Sequence, residues 1–304
     1  MEKLIEQAIE DQKKLENMED LKNRYNKKNK LNEMKILINL IAITPIIWGI
    51  CCYEVASTTE QTNISRTQTF STFKSNSAVE NIARPLTVRL LGENIAGSGV
   101  IISREGNNYF VLTCAHVIDS DPDTKFRVLT ADGAEYIAQI DTESNFKDID
   151  LALVKFNSNN EYPVAIVSSS FNFSLGEQVY VSGFPNYDQE AVNLSPTVDL
   201  GIKPYHFTQG KVSHLLNFPL EKGYKIGMSN EIEIGMSGGP VLNQKGELVG
   251  IIGRAKYALG GFDAYRFSDG SVPSEELLEE LVSVSWAIPV AKLYKQDKYF
   301  QIDN

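Results

Sequence analysis

Three side chains in this 304-residue sequence stand in settings that suit nucleophilic acyl transfer. His116 follows an apolar run in VLTCAHVI (111–118), Asp150 heads the alternating run DLALVKF (150–156), and Ser237 lies among glycines in GMSGGPVL (235–242). A serine hydroxyl is a poor nucleophile at neutral pH and needs a base within hydrogen-bond reach. Histidine is the usual base, and a carboxylate on its other ring nitrogen fixes the tautomer and stabilises the imidazolium. A negative tetrahedral intermediate also needs preorganised donors, which the Gly235 and Ser237 N–H groups are placed to supply. The sequence holds three histidines, so such a base must be His116, His206 or His214.

The elements that must position these groups read as β-strands. From about residue 79, short runs rich in Val, Ile, Tyr and Phe alternate with Gly, Asn, Asp and Pro: PLTVRLL, GSGVIIS, YFVLT, FRVLT, DLALVKF, YPVAIV, QVYVSG, LVGIIG and VSVSWAIPV. Runs of five to nine residues separated by turn signals predict an all-β domain over 79–295. One helix is predicted at Ser274–Val282, where Ser274, Glu275 and Glu276 suit its N-terminus.

The preceding chain is of another kind. Residues 1–35 carry nine Lys/Arg and eight Asp/Glu and read as a charged cytoplasmic tail. Ile36–Tyr53 is uncharged and reads as a transmembrane anchor or the apolar stretch of a signal peptide, with a cleavage site conceivable at Val55-Ala56-Ser57. A start at Met34 would turn Met34-Lys35 and this run into an ordinary signal peptide. Six basic residues between Lys22 and Lys35 set the N-terminus in the cytoplasm and everything after Tyr53 outside it, anchored in the membrane or released. Residues 54–78 read as a linker, because eleven Ser/Thr between 57 and 77 leave little to bury. The formal net charge of −10 argues against a nucleic-acid partner, and three cysteines are too few for a disulfide scaffold.

Order narrows the chemistry. Gly235-Met236-Ser237-Gly238-Gly239 fits a G-x-S-x-G nucleophile elbow, but that fold needs a histidine after the serine and none follows. A subtilisin-like order needs an aspartate before the histidine, and none lies between Glu54 and His116. The remaining order is His116, Asp150, Ser237. T-x-A-H, D-L-A-L-V-K and G-x-S-G-G-P-V in that order resemble the catalytic motifs of trypsin-like (chymotrypsin-fold) serine peptidases, especially bacterial exported forms without disulfides. GSGVIIS (97–103), FTQGKVS (207–213), ELVGIIGRA (247–255) and WAIPV (286–290) extend the similarity over residues 79–295. Only residues 296–304 follow as a tail, so the C-terminal regulatory domain of many exported relatives is not expected.

The resemblance implies two six-stranded β-barrels, with His116 and Asp150 on the first, Ser237 on the second, and an extended peptide bound between them. It implies a serine endopeptidase working on proteins or peptides through an acyl-enzyme, with no cofactor and no metal. The competing reading is a catalytically silent, membrane-tethered binding or adaptor protein of the same fold. Asp150 is preferred to Asp148 because it directly precedes the strand, as in the family motif. Met236 stands where digestive members carry an aspartate that pairs with a new N-terminus, so activity is expected without N-terminal processing. Cys114 reads as a small buried apolar residue rather than a second nucleophile. By the family pattern Glu231 lies at the base of the specificity pocket, although Glu231 and Glu233 in Glu-Ile-Glu-Ile would equally form a solvent face. Gly253, Arg254 and Ala255 match the strand that pairs with the substrate backbone. There Arg254 would either counter Glu231 or select acidic substrates. His206 and His214 lack metal-ligand spacing and read as structural.

Overall fold

Val- and Ile-rich runs have two faces to bury, and closing a sheet on itself buries one face while removing the exposed edges. The computed structural model describes residues 78–290 apart from 93–95, 119–125, 145, 169–172, 189–194 and 259–260. The charged tail, the apolar segment 36–53, all but the last residue of the linker and the tail 296–304 lie outside the described residues. Among the described residues no helix is long and apolar enough to cross a membrane.

The first barrel is built from β1 (Thr87–Leu91), β2 (Ala96–Glu105), β3 (Asn108–Thr113), β4 (Phe126–Leu129), β5 (Glu135–Ile140) and β6 (Ala152–Asn157). They close in the order β1-β2-β3-β6-β5-β4, every pair antiparallel. The second uses β7 (Gln178–Gly183), β10 (His206–Leu215), β11 (Ile226–Met228), β12 (Pro240–Leu242), β13 (Leu248–Arg254) and β14 (Ser285–Pro289), in the order β10-β11-β14-β13-β12-β7 and again antiparallel. A small ribbon, β8 (Tyr187–Asp188) with β9 (Ser195–Pro196), stands apart from both. Val100, Ile101, Tyr109, Val111, Leu112 and Leu153 of the first barrel are buried in one hydrophobic core, and Val181, Met228, Val241 and Ile252 of the second in another.

Two of the runs expected as strands differ from the sequence expectation. A helix α1 (Ala78–Leu86) precedes β1 and takes up Pro85-Leu86, so the predicted strand PLTVRLL begins only at Thr87. Val79, Ala83 and Leu86, spaced four and three apart, form its buried face. YPVAIV is not a regular strand. Pro163 has no N–H for a ladder, and the segment bridges the barrels instead. Ala165 donates to the Ile101 carbonyl at 2.9 Å, while Ile166 accepts from Leu248 at 2.7 Å. The late helix α2 (Glu275–Val282) forms as its sequence predicts, with the Ser274 hydroxyl accepting from the Leu277 N–H at 3.3 Å.

Candidate active site

β3 ends at Thr113, whose hydroxyl donates to the Ser98 carbonyl at 2.7 Å. The chain then enters a 3-10 turn, Ala115–Val117, that presents the His116 side chain 46% exposed. Asp150 lies two residues before β6 and is nearly buried. Its Oδ1 accepts the His116 backbone N–H at 2.9 Å, and its Oδ2 meets His116 Nδ1 at 2.6 Å. These two bonds fix both the turn and the ring. With Nδ1 donating to the carboxylate, Nε2 is the basic nitrogen. Burial by itself would raise the Asp150 carboxyl, but the bond and charge of His116 and the Tyr224 hydroxyl outweigh it and hold the group below its usual range. Asp148 is an exposed turn residue with φ 61° and takes no part in these bonds.

Ser237 sits in the turn before β12. Gly235 and Gly238 have φ of +103° and +89°, a region L side chains rarely adopt, and no Cβ fits at either. A methyl on Gly235 would stand 2.5 Å from Asn186 Oδ1, and one on Gly238 would stand 2.0 Å from the Ser98 carbonyl oxygen. The backbone around the serine is tied at several points. Ser98 donates its N–H to the Ser237 carbonyl at 2.9 Å and its hydroxyl to the Gly235 carbonyl at 2.8 Å. Asn186 donates its N–H to the Ile234 carbonyl at 2.7 Å. A trans peptide sets its N–H opposite its C=O, so this last bond turns the Gly235 N–H away from Asn186. Among the described residues neither the Gly235 nor the Ser237 N–H has a protein acceptor. Two such donors suit a developing oxyanion. The Ser237 hydroxyl donates to the Gly253 carbonyl at 3.4 Å. Among the described residues this hydroxyl makes no hydrogen bond to His116; in other enzymes that bond is often long until substrate binds.

His116, Asp150, Gly235, Ser237, Gly253, Arg254 and Ala255 all line one cleft of about 550 Å³. Glu231 does not. Its carboxylate is 78% exposed and pairs with Lys256, a residue of the cleft wall. Ile232, Glu233 and Ile234, which follow Glu231, line the cleft. Arg254 is also engaged. It donates to the Ala264 carbonyl, and its Cζ lies 4.1 Å from the Tyr224 ring centroid and 5.7 Å from that of Tyr265. Met236 is wholly buried, with its sulfur accepting from the Glu233 N–H at 3.4 Å. His206 lies 3.8 Å from Glu233, and His214 3.5 Å from Glu280.

Cys114, His116 and Asp150 bring possible ligand atoms within 4.8 Å of one another. They do not fit a metal. Two ligands of a tetrahedral zinc at about 2.0–2.1 Å would stand roughly 3.3 Å apart, whereas Nδ1 and Oδ2 are 2.6 Å apart, the distance of a shared proton. The Cys114 thiol is wholly buried, donates to the Ile252 carbonyl at 3.3 Å, and is pushed well up by that burial, so it stays neutral. A metal ligand would have to lose that proton.

Three residues at the site carried no assignment in the sequence reading. Ser98 lay within GSGVIIS, and a small polar residue between two glycines ahead of a buried run was a usable signal. Asn186 and Tyr224 gave none. Tyr224 in particular is a buried aromatic whose hydroxyl donates to Asp150 Oδ2 across 74 positions of sequence.

Residues 97–251 match the family described as the trypsin-like peptidase domain. The chain is 34% identical over 157 residues to the serine protease HTRA1 of Xenopus laevis, covering 51% of this chain and 30% of that protein. It is 27% identical over 211 residues to the human serine protease HTRA4, covering 67% of this chain and 38% of that protein. The chain thus spans about a third of the length of these relatives.

Proposed function

Because the chain belongs to the trypsin-like peptidase family, we propose that it is a serine endopeptidase with His116, Asp150 and Ser237 as its catalytic triad. The observation that carries this reading is the 2.6 Å His116–Asp150 pair in one cleft with Ser237 and two N–H groups that have no protein acceptor among the described residues. Ser237 Oγ attacks the scissile carbonyl carbon while His116 Nε2 takes its proton. The Gly235 and Ser237 N–H groups hold the resulting oxyanion, and Asp150 stabilises the imidazolium. Collapse breaks the C–N bond, and His116 gives its proton to the leaving amine. Water, deprotonated by the same imidazole, then releases the acyl group and restores Ser237.

The substrate is an extended segment of protein, paired with the backbone of Gly253–Ala255. We assign the side-chain pocket a preference for uncharged residues. Ile232, Ala258 and Ala264 line it, and the charged groups of the cleft wall are engaged elsewhere: Lys256 pairs with the exposed Glu231, Glu233 lies 3.8 Å from His206, and Arg254 is held by Ala264 and two rings. Burial of Met236 supports activity without N-terminal processing, since no carboxylate there awaits a new amino group. The exported location, tethered or released, rests on the uncharged run 36–53 and the basic residues before it.

The test is labelling of the full chain with a fluorophosphonate, wild type beside Ser237→Ala and His116→Ala, together with hydrolysis of an unfolded protein. Labelling and hydrolysis by the wild type alone are expected. A folded wild type that neither labels nor cleaves would overturn this reading in favour of the silent adaptor.

A further inference from the structure

The turn Leu220–Tyr224 lies between β10 and β11 of the second barrel, yet it holds the acid of the first at two points. The Lys222 carbonyl accepts the Asp150 N–H at 2.9 Å, and the Tyr224 hydroxyl donates to Asp150 Oδ2. The turn is itself closed by Leu220 N–H to the Tyr224 carbonyl at 2.8 Å and Gly223 N–H to the Leu220 carbonyl at 3.1 Å. Tyr224 is almost wholly buried, with the Arg254 guanidinium stacked on its ring. A ring packed this way cannot swing its hydroxyl to another acceptor. Oδ2 therefore receives two donors at once, His116 Nδ1 from one side and Tyr224 from the other.

We propose that Tyr224 is a positioning residue for the reaction, a fourth member of the constellation that fixes the Asp150 carboxylate and shares its charge with His116. The proposal rests on the serine-peptidase reading for its kinetic consequence, though not for its effect on His116. A donor at Oδ2 locks rotation of the carboxyl group, which keeps Oδ2 on Nδ1 through the proton transfers. It also withdraws charge from Oδ2, so the imidazolium is stabilised less than by a carboxylate that faces His116 alone. Burial pushes the Tyr224 phenol well up, and the neighbouring thiol and carboxylate add to this, so the hydroxyl remains a donor throughout the working range. Arg254 connects the same ring to the strand expected to pair with substrate, which places the device between binding and chemistry.

The charged and titratable groups around Asp150 are His116, Tyr224, Cys114 and Arg254. The test compares the full-length wild type with Tyr224→Phe in two measurements. In the first, ring-labelled histidine NMR follows the His116 midpoint without substrate; the sequence has three histidines, so assignment by His116→Ala is direct. In the second, kcat and KM are measured against pH. Loss of the hydroxyl leaves more charge facing His116, so its midpoint is expected to rise by about half a unit. The acid limb of the rate profile should move to higher pH by the same amount, kcat should fall about tenfold, and KM should hardly change. Replacing Tyr224 by 3-fluorotyrosine, a stronger donor with the ring kept, should move the midpoint the other way. That variant carries the test if the phenylalanine chain does not fold. An unchanged His116 midpoint in a folded variant would overturn the proposal. A shifted midpoint in a chain that hydrolyses nothing would leave the positioning role intact and overturn the peptidase reading instead.

Discussion

Ser98 of the first barrel holds the Gly235 carbonyl of the second with its hydroxyl at 2.8 Å, while the same oxygen accepts the Phe184 N–H, also at 2.8 Å. One buried hydroxyl thus ties the loop before Ser237 to β2 and to the residue that follows β7. Ser98→Ala removes the donor to Gly235 and leaves the Phe184 N–H unpaired. We expect kcat to fall about tenfold to a hundredfold as the oxyanion donors lose their fixed aim, with about 1–3 kcal/mol lost in stability for the orphaned groups. Steady-state kinetics beside urea unfolding would separate the two effects; a variant with full kcat would show that Ser98 only packs.

Gly238→Ala is expected to prevent folding rather than slow catalysis. The added methyl would stand 2.0 Å from the Ser98 carbonyl oxygen and 2.2 Å from Thr113 Oγ1, at a φ of +89°. Backbone must move in both barrels, at a cost of about 3 kcal/mol or more. Soluble expression with an unchanged unfolding midpoint would contradict this.

Asp150 gives a stability with a defined pH window. Its folded pKa is depressed below the ordinary 3.8, so the unfolded chain takes up that proton first as the pH falls. The stability it contributes is complete above the unfolded value and is lost as the pH drops through the lower folded value. Asp150→Asn, which cannot titrate, should therefore be less stable than wild type at neutral pH by about 2 kcal/mol. The gap should close below about pH 4. Urea midpoints from pH 7 to 2 would check it, and a gap that stays constant would refute the assignment.

Glu231→Gln should leave cleavage preference unchanged within about twofold, since an exposed ion pair such as Glu231–Lys256 contributes little. A peptide library read before and after the substitution decides the matter. A large loss of cleavage after Lys would return Glu231 to the pocket.

The strands and the order of the reactive residues were legible in the sequence because local physics writes them there. Alternating Val and Ile demand a pleated, half-buried surface, and glycines at 235 and 238 demand positive φ. What could not be read depends on contacts far apart in the chain. Arg89 is the one charge in PLTVRLL and by alternation belongs to a solvent face, yet it is wholly buried and donates to Thr197 and Gly201. Tyr224 looks like any core aromatic until the fold brings Asp150 to its hydroxyl. Glu231 and Ile232 are neighbours in a stretch that forms no strand, so no alternation in the sequence decides which of them reaches the cleft. The failed strand at 162–167 was legible after all, since Pro163 marks it.

Each barrel holds a piece of the other's machinery: the 220–224 turn grips Asp150, and Ser98 grips Gly235. β14 pairs with both β11 and β13, so the second barrel cannot close until residues 285–289 are in place. During synthesis the His116–Asp150 half is therefore complete long before anything can orient it against Ser237. A growing chain still on the ribosome, or one cut short before β14, carries all three reactive side chains and no working site. On the serine-peptidase reading, hydrolysis would then await β14, the last strand among the described residues, late enough to spare the neighbours of an unfinished protein.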